Sequence, residues 1–447
     1  MTELTKTLQG IVGTERVRAD GETNRYAVDG LAPAAVVFPG SVEQVSAVLA
    51  ACSQAGASVV PWGGGSSMGL GGVPRKVEVV LALSRLNQVI DHEPGDMTST
   101  VQAGMVLRDF QAHLGRHGQF LSLDPPAASR ATIGGILAAN ASGPRRLRYG
   151  TARDLLIGER VVHADGTVTK GGAKVVKNVT GYDMNKLYVG SLGTLGVIVE
   201  ATFRLYPLPA AESTWVASFS TLQTARDAVA KILGSPLVPS AVELLSGSAA
   251  DEVGRRARVV PGKKGPVLAV AVASVPDGVS AQLDQARQMG RQVGGGEGQV
   301  LQGEAHERFW SAVSDFEPEG GSALILKASV LISEVAEAMR QGEEIAAKGR
   351  LRVATISEAG TGIVRYYFQA DGAGKESFDR LAGVVAPLRA FAIEAKGSLV
   401  VLQAPPEVKA KVDVWGPVGD VIAQMRGLKQ QFDPGGTLNP CRFVGGL

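Results

Sequence analysis

The stretch PWGGGSSMGLGG, residues 61–72, contains six glycines and two serines between two apolar segments. The flanking segments ASVVPW (57–62) and VEVVLAL (77–83) are predicted to be short buried strands, because both are continuous apolar runs rich in β-branched residues. A linker joins domains, whereas this run joins two neighbouring strands at a spacing that suits a compact turn. The run is therefore predicted to be an ordered loop that lies against a ligand.

The sequence of the loop narrows the kind of ligand. A Walker loop ends in Gly-Lys-Ser/Thr, and this loop contains no lysine. A Rossmann loop opens a helix, whereas Pro74 and a β-branched strand follow here. The remaining interpretation is a nest, in which successive backbone N–H groups hold an anion and Ser66 and Ser67 add hydroxyl donors. Glycine suits a nest because it adopts positive φ and lets a ligand approach closely.

Two further glycine clusters extend this interpretation. They are TIGGILAANASG (132–143) and VGSLGTLGVI (189–198). One glycine loop alone is weak evidence for a particular ligand. Three separate clusters between Gly63 and Gly196 predict an extended ligand that is wrapped by backbone.

Composition bounds the class of protein. With 447 residues, 45% hydrophobic and 20% charged, the chain is predicted to be globular with two or three domains. A net charge of +2 argues against a nucleic-acid partner. Two cysteines exclude a disulfide framework and an iron–sulfur cluster held by four cysteines of this chain. The N-terminus resembles no secretory signal and no apolar run approaches ~20 residues, so we expect a cytoplasmic chain that reaches a membrane only through partners.

The apolar pattern changes along the chain. Residues 41–56 are predicted to form a helix, 153–172 a β-hairpin and 181–190 a short helix. A boundary is predicted near residue 209, because strands alternate with amphipathic helices beyond it. That alternation predicts an α+β domain, an antiparallel sheet with helices on one face.

Three motifs in order carry a family resemblance. They are the glycine loop, LDPPAASRATIGGILAANASGPRRLRYG (123–150) and KNVTGYDMNKLYVGSLGTLGVIVEATFRLYPLP (177–209). Together they resemble the FAD-binding domain of the vanillyl-alcohol oxidase / p-cresol methylhydroxylase (PCMH) superfamily. The tail KQQFDPGGTLNPCRF (429–443) is similar to the ending of the D-lactate dehydrogenase and glycolate oxidase branch. GPRRLRYGTARD (143–154) and the segment 412–443 resemble the smaller, E-type flavin subunit of bacterial three-subunit glycolate oxidases.

The resemblance implies an α+β fold with two parts: a two-subdomain PCMH-type FAD-binding domain, and an antiparallel-sheet, ferredoxin-like cap domain. The predicted boundaries are an N-terminal segment at 1–33, the FAD-binding domain at 34–209, the cap or substrate domain at 210–410, and a C-terminal segment at 411–447 that returns to the FAD domain.

The resemblance also implies FAD as the cofactor and names the residues that bind it. The first loop is assigned to the FAD pyrophosphate through Pro61, Gly63, Gly64, Gly65, Ser66, Ser67 and Met68. The second segment is assigned to the ribityl chain and isoalloxazine through Pro125, Thr132, Gly134, Gly135, Asn140, Ser142 and Gly143, with Tyr149 and Gly150 close by. The third is assigned to the adenine side through Gly196 and Ile198, and the tail returns to the flavin at Asn439.

The mode of flavin attachment follows from two of these segments. Some members of the family attach FAD covalently through a histidine in the first loop or a cysteine in the second segment. Here the loop carries Ser67 and Met68, and residues 122–150 contain neither cysteine nor histidine. A non-covalent flavin is therefore predicted.

Candidate catalytic residues lie beyond residue 209. LKASVLISEVAEAM matches the family's K-x-x-V pattern, so Lys327 is predicted to hold a substrate carboxylate; the alternative is a structural lysine. AVELL places Glu243 where relatives direct a residue toward the flavin, and the alternative is an ordinary strand glutamate. A basic cluster beside the second segment either pairs with a substrate or a partner subunit, or forms a solvated loop; its members are Arg145, Arg146, Arg148 and Arg153.

No metal site is predicted. Catalytic relatives carry an H-x-G-D-G-N metal motif in the cap, whereas His306 is the single histidine of this sequence beyond residue 209. The arginine that follows a cap tryptophan in relatives is also missing after Trp310. His113 and His117 lie one helical turn apart, but the sequence shows no further ligand for a zinc pair.

The resemblance implies an FAD-dependent oxidoreductase subunit. Such a subunit oxidises a small 2-hydroxy acid, glycolate or D-lactate, by hydride transfer to non-covalent FAD and passes electrons to an iron–sulfur partner subunit. A larger flavin subunit is the second implied partner. The alternative is a non-catalytic FAD-binding accessory or electron-relay subunit of a glycolate oxidase complex. A reductase of the UDP-N-acetylenolpyruvylglucosamine type shares the FAD fold, but the long cap and the tail make it a less suitable match.

Overall fold

The computed structural model describes residues 2–19, 21–172, 182–259, 265–372 and 374–447. The described chain divides into two compact units, and each is built from separate stretches of sequence. The first unit comprises Met1–Ser142, Thr151–Leu208 and Pro417–Leu447, and the second comprises Gly143–Gly150 and Pro209–Gly416. No described helix is both long enough and apolar enough to cross a membrane.

The strands of the described chain are, in order, β1 Val17–Ala19, β2 Ala35–Val37, β3 Val59–Trp62, β4 Val79–Ala82, β5 Val89–Glu93, β6 Thr98–Gln102, β7 Gln119–Phe120, β8 Leu156–Val162, β9 Val168–Gly172, β10 Val197–Arg204, β11 Tyr206–Pro207, β12 Ala211–Ser218, β13 Ala241–Leu245, β14 Val267–Ser274, β15 Gln299–Gln302, β16 Leu324–Ser329, β17 Arg352–Glu358, β18 Ile363–Gln369 and β19 Ser398–Gln403.

The α-helices of the described chain are α1 Glu3–Val12, α2 Val42–Gln54, α3 Leu107–Gly115, α4 Ile133–Ala139, α5 Arg146–Tyr149, α6 Ala152–Leu155, α7 Asn185–Tyr188, α8 Leu222–Leu233, α9 Gly247–Ala257, α10 Pro276–Gln292, α11 Gly303–Ser314, α12 Val335–Lys348, α13 Lys375–Gly383, α14 Val385–Glu394, α15 Pro406–Lys409 and α16 Ile422–Phe432.

The first unit contains two larger sheets. The first has the strand order β1-β2-β4-β3, in which β4 runs parallel to both β2 and β3. The second is antiparallel with the order β5-β6-β10-β8-β9. The predicted helix at 41–56 corresponds to α2, and the predicted hairpin corresponds to β8 and β9. The helix predicted at 181–190 corresponds to α7, while its first residue, Gly181, lies outside the described residues.

The second unit is organised by one antiparallel sheet with the order β15-β12-β14-β13-β17-β18-β16-β19. Strand β14 is apolar along almost its whole length, with Val267 through Ala273 buried. Such continuous burial requires cover on both faces of the sheet. The antiparallel α+β architecture predicted from the alternating pattern is therefore confirmed.

The prediction of helices on a single face of this sheet was wrong. One face packs against α8, α10, α12 and α14 through residues such as Leu244 and Val270. The opposite face packs against α9 and α11 through Leu245 and Ala269. Because neighbouring strand residues point to opposite faces, these two clusters lie on opposite sides of one sheet. Helix α9 buries mostly alanine, so its sequence carries little apolar signal.

A buried carboxyl group in the first unit gives a pH prediction. Glu159 on β8 is 3% exposed, and neither of its carboxylate oxygens has a hydrogen-bond partner in the part of the chain that the structure describes. Burial, assisted by Asp183, raises the pKa of Glu159 from 4.5 to about 8. The unfolded chain therefore releases this proton at lower pH than the folded chain, so folding stability falls as pH rises from about 4.5 to about 8.

We expect Glu159→Gln to remove this pH dependence. Each pKa unit corresponds to about 1.4 kcal/mol, so the gain at pH 8.5 over the unaltered chain is up to about 5 kcal/mol, with almost none at pH 4.5. Melting temperatures of the unaltered and variant chains at pH 5 and pH 8.5 test this. Glu93→Gln, an exposed position on β5 of the same sheet, is the matched control. If the melting temperature changes equally between pH 5 and pH 8.5 in all three chains, the raised pKa of Glu159 is contradicted.

Candidate functional site

The glycine loop leaves the end of β3 and returns along β4. The two strands pair in parallel, with Trp62 opposite Ala82, so the intervening residues form the crossover between neighbours. A Cβ atom at Gly63 would lie 2.0 Å from the Thr132 Oγ1, and one at Gly64 would lie 1.6 Å from the Arg130 carbonyl oxygen. Real Cβ atoms do not approach that closely. The first two glycines are therefore required by the close approach of the Thr132 side chain to Gly63 and of the Arg130 backbone to Gly64.

A buried arginine from the tail fixes the far side of the loop. Arg442 is 2% exposed, and its Nη2 donates to the carbonyl oxygens of Met68, at 2.8 Å, and Leu70. Gly72 N in turn donates to the Arg442 carbonyl oxygen at 3.0 Å. The arginine thereby binds two carbonyl oxygens of the loop and places a cationic side chain next to it. Both effects favour an anion on the loop.

The tail also extends the edge of the first sheet. Val59 N donates to the Thr437 carbonyl oxygen at 2.7 Å, and Asn439 N donates to the Val59 carbonyl oxygen at 2.9 Å. The Asn439 backbone has a φ of 47°, a conformation that asparagine tolerates better than most residues. Its Nδ2 donates to the Leu192 carbonyl oxygen at 2.6 Å. Tail, first loop and third glycine cluster are thus connected by direct hydrogen bonds.

The second glycine cluster forms α4 beside the loop. Thr132 caps this helix by accepting a hydrogen bond from Gly135 N, and Asn140 ends it with a φ of 45°. Leu192 N donates to the Ala138 carbonyl oxygen at 2.9 Å, which joins the third cluster to the helix. All three glycine clusters named from the sequence therefore meet within the first unit.

A cavity lies where these segments meet. Nine of the predicted cofactor-binding residues line it, namely Pro61, Gly63, Gly64, Gly65, Ser66, Ser67, Met68, Gly135 and Asn439. Four further lining residues were not predicted from the sequence, namely Ala138, Ala139, Leu192 and Arg442. Arg442 belongs to the tail motif KQQFDPGGTLNPCRF, so its place in that motif was the sequence signal that could have identified it. The other three follow from the helical and turn geometry alone.

The remaining predicted FAD-binding residues occupy other positions. Thr132 contacts the loop at Gly63, as described above, while Gly134 approaches Ala103 in the interior. Gly196 approaches Val161, and Ile198 belongs to the apolar core beneath β10. The buried residues Pro125 and Ser142 also lie in the first unit. The second compact unit contains Gly143, Tyr149 and Gly150.

The second unit carries a row of charged side chains across neighbouring strands. Glu243 of β13 lies opposite Glu358 of β17, and both are almost fully buried. Arg365 of β18 makes an ion pair with Glu358, with Nη2 and Oε1 2.6 Å apart. Lys327 of β16 lies opposite Arg365 in the strand register. Since residues opposite one another share a sheet face, the row brings both predicted catalytic residues to one face.

The charge balance of this row favours an anion. Burial lowers the pKa of Lys327, and the neighbouring cations Arg365 and Arg146 lower it further, while Glu358 opposes the shift. Arg146 Nε also lies 3.8 Å from Glu358 Oε2. When Arg146 of α5 is added to the row, three cations lie beside two carboxylates among the described residues. A carboxylate ligand beside Lys327 would stabilise its charged form.

The basic cluster of 145–148 is bound within its own unit. Arg145 Nη2 lies 2.9 Å from Glu212 Oε2, and Arg148 Nη1 donates to the Ala273 carbonyl oxygen. Arg146 reaches Glu358, as described above. These three arginines do not form a solvated loop, because internal acceptors hold them. Arg153 lies in the first unit and is exposed.

His306 of the second unit serves a structural hydrogen-bond chain. Its Nδ1 lies 2.9 Å from Thr214 Oγ1, and Trp310 Nε1 donates to the same hydroxyl at 2.7 Å. Burial, together with Arg145, lowers the pKa of His306 to about 4, so the imidazole is neutral at pH 7. The histidine therefore holds α11 against β12.

Comparison with known proteins assigns these units to a family. Residues 33–172 match the model of an FAD-binding domain, and residues 208–400 match the C-terminal domain of FAD-linked oxidases. Glycolate oxidase subunit GlcD of Bacillus subtilis is 29% identical, with 91% of this chain and 88% of that protein aligned. D-lactate dehydrogenase [cytochrome] 1 of Saccharomyces cerevisiae is 35% identical over 48% of this chain and 36% of its own length.

A solved structure shows the same fold. p-Cresol methylhydroxylase with bound substrate superimposes with a TM-score of 0.77, covering 98% of this chain and 96% of that one at 17% identity. The chain therefore belongs to the FAD-linked oxidoreductases that combine an FAD-binding domain with an oxidase C-terminal domain. Its fold is that of p-cresol methylhydroxylase. Within that family it is an FAD-dependent oxidoreductase of the glycolate oxidase / D-lactate dehydrogenase branch.

The cavity of the first unit fits FAD. Gly63 and Gly64 leave no room for side chains, so only backbone atoms border the cavity at these two positions. The buried Asn439 Oδ1, which belongs to a residue that lines this cavity, has no hydrogen-bond partner within the described ranges. A buried acceptor of this kind requires a donor. Ser66, Ser67 and Arg442 complete a donor set that suits a pyrophosphate.

Proposed function

We propose that this chain oxidises a small 2-hydroxy acid, glycolate or D-lactate, to the corresponding 2-oxo acid. The observation that supports the proposal most directly is the charged row of the second unit, with its excess of cations around Lys327. A 2-hydroxy acid presents a carboxylate next to the carbon that is oxidised. The names of the relatives supply the substrate class, since they include a glycolate oxidase subunit and a D-lactate dehydrogenase.

In this proposal, the side chains of the row have two roles, which are binding of the substrate carboxylate and acceptance of the hydroxyl proton. Lys327 and Arg365 hold the substrate carboxylate, as a cation pair of which one member is already anchored by Glu358. Glu243 takes the hydroxyl proton as the substrate becomes a carbonyl compound. FAD, when bound, supplies the acceptor for the hydride of the α-carbon. The substrate thus loses one hydride and one proton, which balances the oxidation.

Non-covalent FAD and partner subunits complete the proposal. The first loop carries Ser67 and Met68 at the place where some relatives attach the flavin, so the FAD is released when the protein is denatured. An iron–sulfur partner subunit receives the electrons, and a larger flavin subunit belongs to the same complex. Contact with a membrane is made through these partners.

A second candidate function is a non-catalytic FAD-binding subunit that relays electrons for a catalytic partner. The structural role of His306 favours it, because this single cap histidine is occupied by Thr214 and neutral at pH 7. The resemblance to the smaller flavin subunit also favours it. In this case Lys327 is a structural lysine that no substrate contacts.

One experiment separates the two functions. The purified chain is freed of oxygen, its visible spectrum is recorded, and glycolate or D-lactate is added in separate samples. Loss of the oxidised flavin spectrum with the chain alone supports the catalytic function. A flavin that stays oxidised until the partner subunits are added supports the relay function. A chain that neither contains nor takes up FAD contradicts both.

A further inference from the structure

Three histidines of the first unit meet at the end of α3. His92 lies on β5, His113 lies in the last turn of α3, and His117 follows one helical turn later. Each histidine contributes one ring nitrogen to the cluster, and these three nitrogens all lie within 4.8 Å of one another. The sequence suggested the pair 113 and 117 but not His92, because His92 lies on a separate strand that precedes the helix.

A glutamine fixes the orientation and tautomer of His92. Gln119 Nε2 donates to the Pro94 carbonyl oxygen at 2.6 Å, so the amide oxygen of Gln119 faces the other way. That oxygen lies 2.9 Å from His92 Nε2, which must therefore carry the proton. The Nδ1 of His92 is then the unprotonated nitrogen, and its lone pair is available to a ligand.

Two nitrogens of the cluster are buried without partners. His92 Nδ1 and His113 Nε2 are both inaccessible to solvent, and neither has a hydrogen-bond partner among the described residues. Buried polar atoms almost always have a partner, so two such atoms in one cluster need an explanation. His117 is exposed and leaves one side of the cluster open to water. The arrangement is two buried ligand atoms, one exposed ligand and an open fourth direction.

We propose that His92, His113 and His117 form a zinc site in which water is the fourth ligand. Neutral imidazole nitrogens are ligands that zinc prefers, and three protein ligands with an open position are an established zinc geometry. Zinc–nitrogen bonds of about 2.1 Å place tetrahedral ligands about 3.4 Å apart, so small ring rotations close the site. Gln119 is the outer partner that holds His92 in its metal-binding tautomer.

The site is independent of the proposed oxidation. None of the three histidines lines the cavity that fits FAD, and none belongs to the charged row of the second unit. Zinc bound here connects β5 to the C-terminal end of α3. Its expected effect on the protein is higher stability of the folded state, because zinc binds the folded chain and has no assembled site in the unfolded one.

Zinc titration of the FAD-loaded chain tests the proposal. The protein, without a histidine tag, is stripped with a chelator and titrated with zinc in competition with a chromophoric chelator. We expect one tightly bound zinc per chain, with an affinity at least 100-fold lower in His113→Gln and His117→Gln. Arg116→Gln, an exposed change between the two ligands, is the matched control and should bind zinc like the unaltered chain. Zinc should raise the melting temperature of the unaltered and control chains only.

Gln119 provides a test of the positioning argument. Gln119→Leu removes the acceptor for His92 and should weaken zinc binding by about 10- to 100-fold. Gln119→Glu keeps an acceptor oxygen and should restore the affinity. A purely structural role of the glutamine would give equal zinc affinities after correction for the folded fraction.

Two results would overturn the zinc site. One is equal zinc affinity of the unaltered chain and the His92→Gln/His113→Gln/His117→Gln chain. The other is an anomalous-scattering peak for zinc that lies elsewhere in crystals of the loaded protein. His117 is exposed, so its substitution remains informative even if changes at the two half-buried histidines impair folding.

Discussion

We expect the Gly64→Asp chain to be purified without FAD. A Cβ atom at this position would lie 1.6 Å from the Arg130 carbonyl oxygen, so the loop or the 130–132 backbone must move. The new carboxylate also lies where the backbone is predicted to face the FAD pyrophosphate, and like charges repel strongly in such a site. The combined effect is a loss of about 1,000-fold in FAD affinity, or about 4 kcal/mol. The ratio of flavin to protein absorbance measures it.

Two companion variants separate the causes. Gly95→Asp adds the same charge at a glycine whose Cβ would meet nothing within 4 Å, and should retain full flavin. Ser66→Asp places a carboxylate on the loop without forcing the backbone apart, and should also lose flavin if charge is decisive. Circular dichroism reports whether each chain is folded. A folded Gly64→Asp chain with full flavin occupancy would show that the loop is not the pyrophosphate site.

The second large effect is expected for Lys327→Met. The change removes the ammonium group but keeps an unbranched apolar side chain. If Lys327 holds the substrate carboxylate, KM for glycolate or D-lactate should rise by about 100-fold, or about 2.7 kcal/mol, since charge-assisted hydrogen bonds are lost. The bound flavin spectrum should not change. The chain should not be less stable, because desolvation and the neighbouring cations both disfavour a charge at Lys327.

The control variants make this prediction specific. Lys348→Met changes an exposed lysine of the same unit and should leave KM unaltered. Lys327→Arg keeps the charge and should recover part of the affinity. A Lys327→Met chain with unchanged KM but a lower melting temperature would mean that the lysine is structural. A chain that is inactive before substitution would leave the relay function as the better description.

The sequence predicts the cofactor unit well because its signals are local. A glycine at which a Cβ atom would lie within about 2 Å of another residue's atoms has no substitute, so Gly63 and Gly64 are visible in the sequence without any structure. The tail motif is informative for the same reason, since Asn439 adopts a left-handed conformation beside the loop. Arg442 was missed although it belongs to the tail motif, because its burial beside the loop is visible only in the structure. Its role depends on where the tail folds back.

The charged row and the histidine cluster depend on strand register instead. Glu358 and Arg365 stand close to Glu243 and Lys327 only because β13, β17, β18 and β16 are neighbours in the sheet. The order of strands in a large antiparallel sheet is not encoded in the apolar pattern of any one strand. His92 is a similar case, as its partners follow more than twenty residues later. Long-range pairing thus limits what the sequence can predict about such sites.

The return of the tail to β3 has a consequence for synthesis of the chain on the ribosome. Val59 emerges long before its partners Thr437 and Asn439. All of Pro209–Gly416 is translated in between, so the second unit can fold while the edge of β3 is still unpaired. The edge of β3 is therefore completed only after the second unit has been synthesised. Loss of the residues from Leu438 onward would remove the Asn439 partner of Val59 from the edge of β3 and the Arg442 side chain from behind the glycine loop.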